Sequence, residues 1–262
     1  MPNIHKTAII EDGAKIASNV TIGAYSIIGA DVSIDEGTVI QSHVVIDGDT
    51  TIGKNNRIFS HAVLGTIPQD LKYEGEKSKL IIGNNNTIRE HTLINTGTKG
   101  GGMITAIGDG CLIMGHVHLG HDCILKDNIV VANSCAIAGH VEIDSNVVVG
   151  GMSAIHQFCK IGEHSMIGGG SILVQDIPPY CICEGNRAVL RALNLNGLRR
   201  RFDRSDIDII KKTYKAIFES NQPIAQTAQE ILNSSDNQYA KNLASFVVNT
   251  KRGIPFVRKN NG

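Results

Sequence analysis

The chain has no tryptophan, only 4% aromatic residues and no net charge, with 25 basic side chains set against 25 acidic ones. No apolar run approaches the roughly 18 residues that a membrane span needs. The start, Met1-Pro2-Asn3-Ile4-His5-Lys6, lacks the apolar centre of a signal peptide. Six cysteines in 262 residues are too few for a disulfide scaffold. These absences exclude a core built around large rings, a membrane-spanning chain and a small disulfide-stapled domain. The balanced charge also gives no global field for nucleic acid or a membrane surface. It hides a division, however. Residues 1–186 hold 11 Lys/Arg against 19 Asp/Glu, and residues 187–262 hold 14 against 6. That split points to two regions with different partners.

What the chain has is glycine, 28 residues of it, and a six-residue repeat. Stepping by six from Ile4 gives Ile10, Ile16, Ile22, Ile28, Ile34, Ile40, Ile46, Ile52, Ile58 and Leu64, eleven aliphatic residues in eleven steps. The repeat resumes at Ile82, Ile88 and Ile94, and after a shift it runs from Ile107 through Leu173. Four residues after most markers the side chain is small or β-branched, as at Ala8, Ala14, Val20 and Ser26. A period of six matches neither a helix nor a long flat strand. It fits very short strands joined by tight turns and stacked as a parallel β-helix with three hexads per coil. Gly, Asn and Asp after the markers suit the corners. Cys111, Cys123, Cys135 and Cys159 all take the small inward position and read as space-filling core residues. Cys181 and Cys183 lie outside the repeat, which stops after Pro178-Pro179. Residues 187–201, 204–219, 223–234 and 237–250 read as amphipathic helices, with Ile207, Ile210, Tyr214, Ile217 and Phe218 on one stripe. The expected organisation is a β-helix over 1–186 and a C-terminal α-helical cap over 187–262.

The repeat breaks twice. Continuing the count between Leu64 and Ile82 would bury Asp70 and Glu76, so a loop is inserted at about 66–79. Between Ile94 and Ile107 there are seven extra residues, an insertion at about 98–105 beginning Thr98-Lys99-Gly100-Gly101-Gly102. With three hexads per coil, Leu119, Ile137 and Ile155 share a face, and excising the insertions adds Ile94 and Leu64 to it. Both insertions therefore leave from the face of His121, His140 and His156, and His116 and His118 fall around this face or its corner. Long insertions in a repeat array mark the binding face. Two chemistries fit a histidine cluster there. Neutral imidazoles from adjacent coils can hold a zinc ion that activates water. Alternatively, a single histidine can serve as general base, with backbone N–H groups near Gly139 holding an oxyanion.

The repeat resembles that of the bacterial hexapeptide-repeat acyltransferases. That resemblance implies an all-β left-handed parallel β-helix assembled as a homotrimer; the left hand comes from it alone. A hexapeptide-repeat zinc carbonic anhydrase resembles the same fold, but it needs neither the loops nor a basic cap. Five segments closely resemble the acyl-carrier-protein-dependent UDP-N-acetylglucosamine O-acyltransferases that open lipid A biosynthesis. They are Pro68-Gln69-Asp70-Leu71-Lys72-Tyr73, His118-Leu119-Gly120-His121-Asp122-Cys123, Ala138-Gly139-His140-Val141, Gly151-Met152-Ser153-Ala154-Ile155-His156-Gln157-Phe158 and Asn194-Leu195-Asn196-Gly197-Leu198-Arg199-Arg200-Arg201.

The resemblance implies His121 as general base, Asp122 as its orienting partner and the Gly139 amide as the oxyanion donor. Asp70 and Lys72 would position the glucosamine and its phosphates, with Gln69 and His118 lining the cleft. His140 and His156 would meet sugar or pantetheine, and Gln157, Asn194, Arg200 and Arg201 the nucleotide. Gly169 would meter acyl length. Acyl carrier protein would dock on the cap cations Arg204, Lys211, Lys212 and Lys215 as co-substrate, with no cofactor and no metal. The enzyme would be cytoplasmic, with its site between subunits. Two departures stand out: Asn95-Thr96-Gly97-Thr98 replaces His-Arg-Gly-Thr, and Asn196 replaces Glu. They open a second reading in which the acceptor carries a 3-amino group and the product is an amide.

Overall fold

In the computed structural model, which describes residues 1–256, most hexads contribute a strand of only two residues ending in the marker. Thr21–Ile22, Ile27–Ile28 and Ser33–Ile34 follow one another in this way. Such a strand cannot stand alone. Each is held by parallel neighbours one coil before and after it, as Ile27–Ile28 is by Ile9–Ile10 and Val45–Ile46. Three sheets result, of eleven, nine and eight strands, here called A, B and C in the order the chain visits them. The coil is a left-handed parallel β-helix.

The markers point inward. Ile22, Ile28, Ile46, Ile58, Ile88 and Ile94 are at most 1% exposed. The small inward residue does more than fill space, because it closes a corner carbonyl one coil further on. The Ser26 hydroxyl donates to Gln41 O at 2.8 Å, and the Cys123 and Cys135 thiols donate to Ala138 O and Gly150 O, both at 3.1 Å. All six cysteines are buried and unbridged, so Cys181 and Cys183 join the four expected in the core. Burial pushes the Cys123 and Cys183 thiols up to about 12, which leaves them inert at neutral pH.

Both insertions leave sheet B. Val63–Thr66 runs into the first and Leu93–Asn95 into the second. Leu64 still faces Ile94, which still faces Leu119, and the register slips only beyond Leu64, where Thr66 meets Asn95 as the loops depart. The chain returns in Lys79–Ile82 and Ile104–Ile107, which pair residue for residue. That pairing draws Ile104 and Thr105 into a strand, so the second loop ends earlier than its expected extent of 98–105.

The helix expected over 187–201 does not form. Val189–Leu193 is a strand antiparallel to Cys181–Glu184, and only Leu195–Leu198 makes a helical turn. The apolar spacing of Val189, Leu190 and Leu193 imitates a helix, but tertiary pairing overrides it. The expected boundary at 186/187 thus falls in the turn of a hairpin. The other three helices form: α1 (Arg204–Tyr214, continued by the π-helical Lys215–Glu219), α2 (Ile224–Ser234) and α3 (Gln238–Asn249). Residues 257–262 of the expected cap lie outside the described residues. The Tyr180 hydroxyl and Asn242 Nδ2 both donate to Glu163 Oε1, at 2.7 and 2.6 Å, and so tie α3 to the coil. Among the described residues no helix is long and apolar enough to cross a membrane.

Ile88 is 0% exposed, while its strand neighbour Thr87 faces outward. Ile88→Ala is expected to cost about 2–5 kcal/mol and Thr87→Ala about 0.5 kcal/mol or less. Urea unfolding followed by circular dichroism checks this, and equal losses would contradict the inward and outward assignment.

Candidate active site

The edge where sheet B turns into sheet C carries His121-Asp122, Gly139-His140 and Gln157-Phe158 on three successive coils. Asp122, His140 and Phe158 occupy the left-handed corner position, at φ of 60°, 61° and 65°. The corners are stacked by backbone bonds: His140 N–H donates to His121 O and Phe158 N–H to Gly139 O, at 2.9 and 3.2 Å.

Asp122 is 4% exposed, and its carboxylate has three partners. The Thr98 amide donates to Oδ1 at 2.8 Å and the Thr98 hydroxyl to Oδ2 at 2.6 Å. His121 Nδ1 lies 2.8 Å from the same Oδ2. These donors satisfy the hydrogen-bonding capacity of the buried carboxylate. It then accepts from His121 Nδ1–H and leaves Nε2 as the free base. The imidazole rests on Gly139, where an added Cβ would come within 2.6 Å of Cε1 and 2.7 Å of Nε2. His140 stands edge-on to His121 at 4.9 Å and stacks on Phe158 at 4.3 Å. His121, Asp122 and His140 offer donor atoms within 4.8 Å of one another, as a metal would require. Both Asp122 oxygens are already engaged by Thr98, and His121 Nδ1 is engaged by Asp122, so the set suits proton transfer better than coordination.

A cavity of about 450 Å³ opens beside His121. Its polar end is formed by Gln69, Asn95, His118, His121, Gly139, His156 and Gln157, and its apolar end by Ala136, Ala154, Ile172, Leu173 and Val174. His118, Ala136, Ala154 and Ile172 succeed one another rung by rung on the outer face of sheet B, so the apolar strip runs along the coil. Burial lowers the pKa of His118, with the nearby His121 acting in the same sense. Burial also lowers that of His140, against the opposing pull of Asp122. Among the described residues, two buried polar atoms at this cavity have no hydrogen-bond partner, His118 Nδ1 and Asn95 Oδ1. The Asn95 amide is oriented by its other end, since Nδ2 donates to Ile67 O at 2.9 Å and to Thr66 Oγ1 at 3.2 Å.

The structure therefore brings together Gln69, His118, His121, Gly139, His156 and Gln157, with Asp122 behind them and His140 alongside. Asp70 lies on the first loop, where its Oδ1 accepts from Lys72 N–H at 3.0 Å, and its charge reaches His140. The Lys72 side chain is exposed. Four expected residues lie elsewhere in the chain. Asn194 is 8% exposed and has both ends of its amide engaged, donating to His164 O at 2.9 Å and accepting from Gly197 N–H at 3.1 Å. It caps the helical turn. Arg201 donates to Asn146 Oδ1 at 2.6 Å, on the edge between sheets C and A, with Arg200 exposed beside it. Gly169 lies on the edge between A and B, where an added Cβ would meet only the backbone of Gly151, its O at 3.3 Å and its N at 3.8 Å.

His116 also leaves the site. The rings of Tyr25, His43, His61, His91 and His116 form a column on the A–B edge, at spacings of 5.2, 5.1, 5.0 and 4.7 Å. The signal was in the phase of the three-hexad coil: each stands just before a sheet B marker, whereas His121 and His140 stand just after one. Sequence reasoning also missed Thr98 as a partner of Asp122 and Asn95 as an orphaned acceptor. Only side-chain geometry across coils reveals either.

A family model described as UDP N-acetylglucosamine O-acyltransferase, domain 2, matches residues 176–255. The acyl-(acyl-carrier-protein)–UDP-N-acetylglucosamine O-acyltransferase of Aliarcobacter butzleri is 63% identical over 99% of this chain and 100% of its own length. That of Sulfurovum sp. is 57% identical over 99% and 100%. The solved UDP-N-acetylglucosamine acyltransferase from Campylobacter jejuni superposes with a TM-score of 0.94 at 45% identity, covering 98% of this chain and 100% of the other.

His118 and His140 are expected to titrate below the ordinary value of about 6.5. Because burial lowers their folded values, the unfolded chain binds more protons than the folded one just below about pH 6.5, so stability falls as the pH drops through that window. NMR titration of labelled histidine, together with Tm at about pH 7.5 and 5.5, tests both points. A Tm fall that is no smaller in His118→Gln would remove His118 from the account.

Proposed function

The chain belongs to the UDP-N-acetylglucosamine O-acyltransferases of lipid A biosynthesis, and on that premise we propose that it moves a 3-hydroxyacyl chain from acyl carrier protein to the 3-position of UDP-N-acetylglucosamine. The observation that carries the reading is the His121–Asp122 pair, set against Gly139 where a polar pocket meets an apolar strip. His121 Nε2 takes the proton of the 3-hydroxyl as its oxygen attacks the thioester carbonyl. Asp122 holds the ring and stabilises the imidazolium. The Gly139 N–H, which has no acceptor among the described residues, faces the developing oxyanion. Collapse expels the carrier thiolate, and the imidazolium returns the proton to it. The acyl chain lies along Ala136, Ala154 and Ile172 toward Gly169. The reaction calls for no cofactor, since the acyl carrier protein is itself a substrate.

Asp70 and Lys72 reach from the first loop to the sugar phosphate, while Gln69, His118, His140, His156 and Gln157 frame the sugar and the pantetheine arm. Arg200 and Arg201 meet the diphosphate with bidentate forks, on a turn that Asn194 keeps in place. These arginines stand on the C–A edge and His121 on the B–C edge. The reading therefore needs a homotrimer in which one copy's arginines complete its neighbour's cavity. Arg204, Lys211, Lys212 and Lys215 give the acidic carrier protein a basic landing surface. The setting is the cytoplasm.

A second reading has its own observation. Asn95 Oδ1 is a buried acceptor in the cavity wall with no donor. A 3-amino acceptor brings two hydrogens, one for His121 and one for Asn95, where a hydroxyl brings one. Asn95 thus favours a 3-amino-3-deoxy sugar and an amide product.

Purified protein given 3-hydroxyacyl carrier protein with UDP-N-acetylglucosamine or its 3-amino analogue should yield acylated nucleotide by mass spectrometry. His121→Ala should lose at least about 10²-fold, and Asn95→His should shift preference toward the hydroxyl acceptor. No product with either acceptor would sink the proposal. Gly169→Met should favour donors shorter by several carbons, and an unchanged chain-length profile would free Gly169 of that role.

A further inference from the structure

The short second insertion holds the one group that fixes both oxygens of the buried carboxylate. We propose that Thr98 is a positioning residue for catalysis, which clamps Asp122 and through it sets the orientation and proton affinity of His121. The proposal rests on His121 being the base.

The loop leaves sheet B after Asn95 and folds back over the neighbouring corner until its backbone lies on Asp122. Glycine is required for this approach. A Cβ at Gly101 would overlap the Asp122 carboxylate, and one at Gly97 would lie 2.8 Å from Asp122 Oδ1 while overlapping the Ile104 amide. Between these glycines Thr98 turns both of its donors onto Asp122, the amide to Oδ1 and the hydroxyl to Oδ2. Among the described residues the Thr98 amide is the sole donor to Oδ1. Thr105 fixes the same corner from the other side, its hydroxyl accepting from Asp122 N–H at 2.8 Å. Thr98 is itself 4% exposed and does not line the cavity, so it acts on substrate only through Asp122 and His121.

The sign of the effect follows from the shared oxygen. Oδ2 accepts both the Thr98 hydroxyl and His121 Nδ1–H. A short charge-assisted bond from Thr98 draws electron density away from that oxygen. Without it, Oδ2 serves His121 alone, becomes the stronger acceptor and holds the imidazolium more tightly. His121 then stays protonated to higher pH, and a protonated ring cannot take the acceptor's proton. The freed carboxylate also turns more easily, which loosens the ring.

Thr98→Val keeps the shape and the amide and removes only the hydroxyl donor, while Thr98→Ser returns it. The expected results for the valine variant are a kcat about tenfold lower, an unchanged KM for the nucleotide sugar and an acid limb of the kcat/KM profile moved to higher pH. NMR titration of His121 in the substrate-free protein should show the same upward shift, by a few tenths of a unit or more. Serine should restore all of these to within about twofold. A valine variant with the His121 titration and kcat of the parent would overturn the proposal. So would a loss that serine fails to restore, or a lowered Tm with the titration unmoved, which marks a purely structural role. Because the titration needs no turnover, it tests the clamp even where the parent shows no acyl transfer, an outcome that would fell the functional reading instead.

Discussion

Every strand of the coil depends on backbone one turn away along the chain. A two-residue strand closes too few hydrogen bonds to offset the entropy of ordering it, so Ile27–Ile28 exists because Ile9–Ile10 and Val45–Ile46 exist. Register is therefore the quantity the sequence must protect. The aliphatic markers protect it by pointing into a core too narrow for large side chains, and the corner hydroxyls and thiols protect it by closing carbonyls on the next coil. The two insertions obey the same rule. They leave and return at one edge, and the register slips only where they depart, between Leu64 and Thr66.

Stacking also dictates where chemistry can gather. Residues of equal phase on successive coils lie one strand spacing apart, about 4.8 Å. That is close enough for rings to touch and for a carboxylate to sense a histidine on the next rung. At the B–C edge this brings His121, His140 and Phe158 into one cluster. At the A–B edge it builds the column from Tyr25 to His116. The column, like Asp122, His140 and Phe158, uses the left-handed corner position, which costs an ordinary side chain about 1–2 kcal/mol and which asparagine, aspartate and histidine tolerate best. Histidine placed at such corners satisfies the turn and presents a ring at the same time.

The markers, the inward cysteines, the face of both insertions and the placing of His121 were legible because each depends on phase, and phase survives in one dimension. The hairpin of Cys181–Glu184 with Val189–Leu193 was not legible. Over so few residues the spacing of Val189, Leu190 and Leu193 suits helix and strand alike, and the deciding partners lie outside the segment. His116 was misplaced when closeness in sequence outweighed phase, since it lies five residues from His121 but on another edge of the coil. The capping bonds of Asn194 were likewise hidden, because His164, which accepts from its amide, lies thirty residues away. Thr98 and Asn95 sat inside an insertion and a departure already noticed. Their roles appear only when Asp122 and Thr66 are seen beside them.

The division of charge acquires a physical meaning from these placements. The coil, with 11 basic and 19 acidic residues, repels a nucleoside diphosphate and an acidic carrier protein alike, and the segment after it, with 14 and 6, attracts both. A cavity built by the coil alone offers a base, a carboxylate and an apolar strip but little positive charge beyond Lys72. Anionic substrates must therefore be drawn by residues after position 186, and the foremost of these, Arg200 and Arg201, stand on the edge that the cavity does not occupy. One chain holds the base and the cations on different edges, and no rearrangement of exposed arginine side chains carries them around the body of the coil. The proposed threefold assembly resolves this by setting the cationic edge of one copy against the cavity of the next. Assembly then completes the electrostatics of the site as well as its walls.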